Sequence, residues 1–297
     1  MSAIIKKEMR SYFNSWIGYI FLFILIGLVG IFFSFINLRN QNGDFQNTLN
    51  QITIFLLILV PVLTMRLFAE EARQKTDQLL FTTPVSISSI VIGKFLSAFI
   101  LACIGMAITA VYPLMIARFG TLPGTQILAL YLGFVLLIAC FISVGMFVSV
   151  CTENQIIAAV VTFLLMIFMF IMDAVVSFIN DTITNSQSSS SASLVSVGFI
   201  ALVIVLLAYL IYDSTKNLYA GGITLLILIA AATALYFFNS ALFDGVIVKV
   251  TQWLSVMSRF DNFNSGILNV SDILYYISFT AAFIYLSINT LEKRRWR

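Results

Sequence analysis

The chain has 297 residues, of which 61% are apolar and only 10% are charged, whereas a soluble domain carries charge on about a quarter of its residues. One soluble core cannot bury that much apolar surface, so the composition excludes a soluble globular protein. The sequence contains no histidine, which excludes Ser-His-Asp and Cys-His catalysis and histidine-ligated zinc. A net charge of +3, scattered along the chain, does not fit nucleic-acid binding.

Long apolar segments dominate the chain. A membrane span needs about 20 mostly apolar residues, and such segments predict an all-α, polytopic integral membrane protein in which residues 1–297 form a single transmembrane domain. The predicted spans, about eight by this length rule, are Ile17–Ile36, Ile52–Phe68, Ile90–Ala117, Ile127–Val150, Ile156–Ile179, Leu194–Tyr212, Gly222–Leu242 and Ile273–Ile288. The sixth and seventh are so close together that a re-entrant pair is the alternative to two spans.

Lysine and arginine predict the orientation, because they favour cytoplasmic loops. An even number of spans places both termini on one side together with twelve of these residues, against four on the other side. Both termini are therefore predicted to be cytoplasmic, in a bacterial-type cell membrane. The polar stretches Asn37–Asn50 and Asn180–Ser193 are predicted outer loops. The cysteines Cys103, Cys140 and Cys151 lie in or beside apolar runs, which predicts buried free thiols.

The first 16 residues predict an amphipathic interfacial helix. Its apolar side chains, Ile5, Met9, Tyr12, Phe13 and Trp16, fall within an arc of about 100° at the helical period. The opposite face is polar and basic. Such a helix is either an anchor on the membrane surface or a helix that also contacts a cytoplasmic partner, and the pattern alone does not separate the two.

The longest predicted cytoplasmic loop covers residues 69–91. Its charged stretch Ala69–Phe81 predicts a helix in which Glu71 and Lys75 form a favourable i,i+4 pair. The Thr83–Pro84 pair ends that helix, because the residue before proline avoids the α region. A short, charged helix is therefore expected between the second and third spans.

Apolar residues stand at the tip of this loop, where Leu79, Leu80 and Phe81 follow one another. They are costly unless something covers them, so they either lie on the bilayer interface or fill a socket on a soluble partner. Ser86 can cap the next helix. The predicted cytoplasmic turn Cys151–Gln155, with Glu153 at its centre, is either a simple polar turn or a further contact to the same partner.

Two features belong to the outer half. Residues 243–270 predict a helix in the outer interface that either anchors there or shapes an exit, with Arg259 and Asp261 as an ion pair. Its apolar face consists of Val246, Ile247, Val250, Trp253, Leu254 and Met257. Asp173 lies inside the fifth span, where a carboxylate costs about 2.5–3.5 kcal/mol at mid-bilayer. Asp173 either lines a pathway, or it faces a solvated vestibule or contacts another helix.

Nothing in the sequence predicts catalysis. No nucleophile stands beside a base, and no GxxxxGK(S/T) motif is present. We therefore expect no catalytic residue, metal or cofactor in this chain.

Several stretches, taken together and in order, resemble one family. They are Glu70–Ser86 followed by Gly93–Phe95, then Thr152–Ala159, Arg259–Phe263, Gly266–Leu268, Tyr275–Tyr276 and Leu291–Trp296. They resemble the type-2 ABC transporter permeases, also called type V exporters, in their gliding-motility (GldF-like) branch and more loosely NosY and NatB. The resemblance extends over nearly the whole chain. It departs from the six-span plan of that family at Leu194–Tyr212 and Gly222–Leu242, which look like an inserted pair.

The resemblance implies a function and a set of site residues. Met1–Trp16 would be the connecting helix and roughly Arg73–Thr82 the coupling helix. The residues that would contact two ATPase subunits are Arg73, Gln74, Lys75, Thr76, Asp77, Gln78, Leu79, Leu80, Phe81, Pro84 and Glu153. ATP and Mg would be held by those subunits. A second permease copy, or a related permease, would complete the pathway through the first, second and fifth spans, near Asp173.

The resemblance also implies export of lipid-like or amphipathic molecules, with room for an extracytoplasmic accessory protein. Two other functions stay open at this point. One is a secondary transporter or channel that needs no ATPase. The other is a membrane scaffold that couples an ATPase to an extracytoplasmic machine without moving a substrate.

Overall fold

The computed structural model describes residues 2–41, 43–76, 86–119, 124–185 and 255–295, without the side chains of residues 119 and 172–185. These residues form helices and turns with no β-strand among them, which confirms the all-α fold. The chain divides into two compact units, Met1–Phe168 with Arg259–Arg297 and Met169–Ser258. Most of the described residues belong to the first unit.

Helices follow one another along the described chain with short connections. Their bounds are α1 Ser2–Asn14, α2 Trp16–Phe33, α3 Phe45–Thr53, α4 Leu56–Thr64, α5 Ala69–Arg73, α6 Ile87–Thr109, α7 Val111–Phe119, α8 Gly124–Cys151, α9 Gln155–Asn185, α10 Val256–Asn264 and α11 Val270–Arg295. A π-helical turn, Ser34–Leu38, extends α2.

Four helical stretches of the described chain are long and apolar enough to cross a membrane, and the bent pair α3–α4 makes a fifth candidate. The four are Trp16–Leu38, Ile87–Arg118, Gly124–Cys151 and Val270–Arg295. They coincide with the first, third, fourth and eighth predicted spans. The fifth predicted span lies within α9, which continues to Asn185 and so into the predicted outer loop Asn180–Ser193. The predicted spans Leu194–Tyr212 and Gly222–Leu242 lie outside the described residues.

The second span differs from its prediction. It begins at Phe45 and is bent by 54° at the break between α3 and α4, whereas the sequence predicted one straight span over Ile52–Phe68. At the break the backbone hydrogen bonds change from the i→i−4 to the i→i−3 pattern, as in Phe55 N–H to Ile52 O at 2.9 Å. Such tight turns redirect a helix. Residues 45–50, predicted as loop, are helical because Phe45, Leu49 and Ile52 place an apolar stripe on the core.

Helix α8 is the centre of the first unit. Of its most apolar stretch 67% is buried, against 17%, 22% and 33% for the other three long spans. It packs against α4, α6 and α11. Along α8, Phe147 meets Phe283, with ring centroids 5.8 Å apart, and Cys151 lies near Arg294, so α11 runs parallel to α8.

One end of this bundle, called here the α1 end, gathers α1, residues 65–76, the turn 152–154 and the C-terminal end of α11. Three observations place them together: Glu8 of α1 contacts the start of α6, residues 68 and 69 contact Ser149 near the end of α8, and α11 runs parallel to α8. Both ends of the described chain therefore lie at the same end of the bundle. Cys151 is exposed there, unlike the buried Cys140, so the prediction of buried thiols is wrong for Cys151.

Candidate functional site

A buried lysine joins three segments at the α1 end. Lys94, in the second turn of α6, is 2% exposed. Its Nζ lies 3.0 Å from Glu71 Oε1 of α5 and 3.3 Å from Glu8 Oε1 of α1. It also donates a hydrogen bond of 2.6 Å to the carbonyl of Leu67, and it lies 5.0 Å from the centroid of the Phe68 ring.

These contacts surround the ammonium group. A lysine has three N–H donors and no acceptor; here one hydrogen bond goes to a carbonyl, and two carboxylates lie within ion-pair distance. A buried charge is stable only when it is paired and hydrogen-bonded in this way. Because Glu8, Glu71 and Lys94 come from different helices, the cluster ties α1, α5 and α6 to one another.

A second ion pair lies beside the first cluster. The guanidinium of Arg66 donates to both carboxylate oxygens of Glu70, at 2.5 and 2.7 Å, and this hydrogen bonding raises the pKa of Arg66. Tyr12 of α1 is buried against it. Burial raises the pKa of Tyr12, and the neighbouring Glu8 adds to the effect, so the phenol stays neutral at physiological pH. The apolar side of α1 is thus occupied by protein.

Helix α5 is held at its start by another helix. Ser149 Oγ of α8 accepts hydrogen bonds from the backbone N–H groups of Phe68 and Ala69, both at 3.1 Å. It donates in turn to the carbonyl of Met65 at 3.3 Å. The first N–H groups of a helix have no partner within it, so this serine provides the N-terminal cap of α5 from a distant part of the sequence.

The end of α5 corrects the predicted helix Ala69–Phe81. The helix stops at Arg73 because Lys75 adopts a left-handed conformation, with φ of +56°. Lys75 N–H then bonds to Ala72 O at 3.2 Å and Thr76 N–H to Glu71 O at 3.0 Å, the pattern of a Schellman motif. The predicted Glu71–Lys75 pair is also wrong, since the Glu71 carboxylate faces Lys94 and, at 3.8 Å, Lys7.

The predicted contact residues fall into two groups. Arg73, Gln74 and Lys75 are exposed next to the buried cluster, and Thr76 is half-buried. Asp77, Gln78, Leu79, Leu80, Phe81 and Pro84 lie outside the described residues. Ser86 occupies the N-cap position of α6, but its hydroxyl pairs with Ser89 Oγ at 2.8 Å and makes no cap bond to the backbone. Glu153 is exposed in the turn between α8 and α9.

The predicted connecting helix is shorter than Met1–Trp16. It ends at Asn14, and Trp16 opens α2 with 82% of its surface exposed. Ile5, Met9 and Phe13 are half-buried beside the buried Tyr12, so four of the five predicted apolar residues share the face that packs on α2 and α6. Glu8, which is not among the predicted apolar residues, also points into the protein.

Sequence reasoning missed the roles of Glu8, Lys94 and Ser149. A signal for Lys94 exists, because it is the sole charged residue within the predicted span Ile90–Ala117, and charges inside spans seek partners. No local pattern distinguishes Ser149 from the other serines of α8, because its partners lie about 80 residues away, as the separation of 81 to Phe68 shows.

The opposite end of the bundle holds a smaller polar cluster. Arg259 Nη1 donates to Asp272 Oδ1 at 3.1 Å and lies 4.1 Å from the centroid of the Tyr275 ring. Asn262 Nδ2 donates to Asp272 Oδ2 at 2.8 Å. The predicted partner of Arg259 was Asp261, and Asp272 replaces it because the first turn of α11 faces α10. Residues 246–254 of the predicted outer helix lie outside the described residues.

Asp173 has no described environment. It belongs to α9, but its side chain lies outside the described part of the chain. The predicted pathway role of Asp173 therefore stays a prediction.

The bundle and its sites define a class of protein: a helical multi-pass membrane protein with a buried ionic cluster at one end of its spans. The chain belongs to the ABC-2 family transporter proteins, whose family model matches residues 33–186, just over half of its length. It is accordingly a permease, the membrane component of an ABC transporter, and not itself the catalytic ATPase. No curated protein matches the chain.

Family membership also bears on the partners of the chain and on the buried cluster. It implies partnership with an ABC ATPase and with the membrane. The matched region 33–186 contains Glu71, Lys94 and Ser149, whereas Glu8 and all of α1 precede it. The buried cluster thus attaches α1 to the matched core.

Proposed function

We propose that this chain is the pathway-forming permease of a type V ABC exporter of the GldF-like branch. Two permease chains work with two separate ATPase subunits, which hold ATP and Mg. The complex exports lipid-like or amphipathic molecules across the bacterial cell membrane. The observation that carries the proposal is the buried cluster of Glu8, Glu71 and Lys94, because it joins the connecting helix to the coupling loop.

The cluster supports a mechanical role for the α1 end. When two ATPases close on ATP, they displace the segments that contact them, and a displacement moves a span only if the segment is rigidly attached to it. Lys94 attaches α1 and α5 to the start of α6, while Ser149 attaches α5 to α8. The push is therefore passed to the spans as a rigid-body movement between two states.

The charge distribution supports a cytoplasmic α1 end. Its described bases are Lys6, Lys7, Arg10, Arg66, Arg73, Lys75, Lys94, Lys293, Arg294 and Arg295, whereas Arg39, Arg118 and Arg259 lie toward the opposite end. Positive residues favour the cytoplasmic side. The contacts proposed for Arg73–Phe81, Pro84 and Glu153 then face the compartment in which an ATPase works.

An apolar groove on the outside of the bundle supports a pathway at the first and second spans. It has a volume of about 190 Å³ and is lined by side chains of α2, of α4 and of the break before α4, among them Ile20, Ile24, Phe55 and Ile58. Its lining exposes no polar surface, which suits an acyl chain or another apolar group. A second permease copy and Asp173 of α9 would complete the pathway in this proposal.

A pull-down of the tagged chain in mild detergent tests the proposal, followed by ATP turnover of the reconstituted complex with and without amphipathic candidates. We expect a stoichiometric soluble protein with a GxxxxGK(S/T) motif and turnover that rises with substrate. A well-folded chain that transports alone would favour the secondary transporter or channel. An ATPase that binds but never responds to a transported molecule would favour the scaffold for an extracytoplasmic machine and, like the lone chain, contradict the proposal.

A further inference from the structure

The acidic side chains of α1 and of residues 65–76 are all turned inward. Glu8 and Glu71 contact Lys94, and Glu70 is paired with Arg66. These three are the acids of α1 and of residues 65–76. Apart from the 3.8 Å contact of Glu71 with Lys7, none of them balances the charge of the outer surface of the two segments.

Apart from Arg66, which is paired with Glu70, the bases of the same segments are turned outward. Lys6, Lys7, Arg10, Arg73 and Lys75 are exposed. Lys6, Lys7 and Arg10 fall within an arc of about 100° on α1 at 100° per residue. Lys7, 67% exposed, lies 3.8 Å from Glu71, which places this arc next to the segment that carries Arg73 and Lys75. Among the described residues the two segments thus present one positive surface, called here the basic surface.

We propose that the basic surface docks an acidic patch on the soluble ATPase subunit, so that the permease recognises its ATPase mainly by charge. The inference rests on the proposed function and adds the chemistry of the contact. Separation of the acids into the interior and the bases onto the surface is what electrostatic complementarity to an acidic protein requires, because charges of both signs on the surface would weaken the attraction.

A protein partner suits this surface better than anionic lipid. A helix that binds a membrane surface inserts a free apolar face beneath its basic one. The apolar face of α1 packs on α2 and α6 instead, with Tyr12 buried. Arg73 and Lys75 extend the surface onto a turn outside the spans, where a soluble subunit can reach them.

The test measures how much ATPase the full-length tagged chain retains as NaCl rises. For the wild type we expect retention to fall steadily, because salt screens exposed charges. The variant Lys6→Glu/Arg10→Glu/Arg73→Glu should bind about tenfold more weakly at low salt and lose most of its salt dependence. The neutral series Lys6→Gln/Arg10→Gln/Arg73→Gln should fall between the two, which separates charge from misfolding.

A matched control reverses Arg39 and Arg118 to Glu, since both are exposed and lie at the opposite end of the bundle. It should keep the wild-type retention curve. Wild-type retention by the triple reversal would overturn the inference and leave the proposed function standing, as would loss of co-purified anionic lipid with the ATPase still bound. Absence of any ATPase from the wild-type chain at low salt would instead contradict the proposed function itself.

Discussion

Lys94 is buried at the start of a membrane span, a position that ordinarily disfavours an ammonium group. Its burial is tolerated because two carboxylates and a carbonyl surround it. Those partners come from α1, from α5 and from the turn before α5, so the same contacts hold these segments together. Removing one partner of a buried ion pair leaves the other charge uncompensated, which costs more than the pair itself contributes. A substitution that removes one charge of the cluster should therefore destabilise the chain, whereas substitutions that remove charges of both signs together should be tolerated.

Replacing Lys94 with methionine tests this sensitivity. Lys94→Met leaves Glu8 without its cation and Glu71 with only the exposed Lys7 at 3.8 Å, so we expect a loss of about 3 kcal/mol in the free energy of unfolding. The melting temperature of the purified chain measures the loss. Lys293→Met, at an exposed lysine, is the control and should change little. If Lys94→Met melts like its control, the cluster does not hold the three helices together.

The same cluster offers a rescue. Glu8→Gln/Glu71→Gln in the Lys94→Met background removes the uncompensated carboxylates, so much of the lost stability should return. A triple variant as unstable as Lys94→Met would show that shape, and not charge, decides this site.

Arg259 and Asp272 allow a double-mutant cycle at the other end of the bundle. Arg259→Gln and Asp272→Asn each break the 3.1 Å ion pair, and the double variant removes both charges. We expect a coupling of about 1–3 kcal/mol, since residues in one network are not additive. Additive melting shifts would mean that the pair contributes nothing. The Arg259–Asp261 pair predicted by sequence is the alternative, and the same cycle with Asp261→Asn compares the two.

At the scale of elements, α5 shows that a helix can be bounded by contacts from elsewhere. Ser149 of α8 caps its first N–H groups, and the left-handed Lys75 ends it. A five-residue helix has almost no stability of its own. Its position therefore depends on α8 and on the buried cluster.

Ser149→Ala removes the cap. Two buried backbone N–H groups then lose their acceptor, and we expect a loss of about 1–2 kcal/mol together with faster amide exchange at residues 68–76. Ser143→Ala is the matched control, because Ser143 is also buried in α8 but bonds to Cys140 of its own helix. Equal exchange in the two variants would contradict a capping role.

The contact of α4 with α8 depends on a glycine. A Cβ at Gly145 would meet the side chain of Thr64, and also Thr162 Cγ2 at 3.1 Å. Gly145→Ala should therefore force the helices apart and destabilise the chain by about 1–3 kcal/mol. Gly27→Ala is the control, since a Cβ there meets nothing within 4 Å and helix propensity improves. A Gly145→Ala variant that melts like the control would exclude close packing.

At the scale of the whole molecule, the α1 end collects α1, residues 65–76 and the turn that carries Glu153. Alternation of the spans requires this grouping, and the contacts of Lys94 and Ser149 agree with it. The side of the membrane is a prediction from the distribution of lysine and arginine. This prediction applies to all the spans together, because the orientation of one loop fixes the orientation of the others.

Cysteine accessibility measures that side. In a background without Cys103, Cys140 and Cys151, a cysteine at Glu153 should resist an impermeant thiol reagent in intact cells and react after lysis. A cysteine at Asn40, exposed beyond the far end of α2, should react in intact cells. The reverse pattern would place the α1 end outside and contradict both the orientation and the ATPase contact.

The sequence by itself determined the membrane class, the positions of four spans, the amphipathic first helix and the family. These properties are local, because runs of apolar residues and their period report which surface meets lipid or core. The family resemblance also directed attention to Arg73–Phe81. Prediction failed where one local pattern fits two structures. The many polar residues of Asn37–Asn50 predicted a loop, although Phe45, Leu49 and Ile52 form the apolar stripe of a helix.

Only the tertiary structure decided which partners the charged side chains take. Glu71 had a good local partner in Lys75 yet pairs with Lys94, 23 positions further along the chain, and Arg259 pairs with Asp272 instead of its neighbour Asp261. A local pair on an exposed helix contributes only about 0.2–0.5 kcal/mol, whereas a buried cation demands partners wherever the fold supplies them. The cap of α5 likewise comes from a distant part of the chain, since Ser149 accepts its first N–H groups.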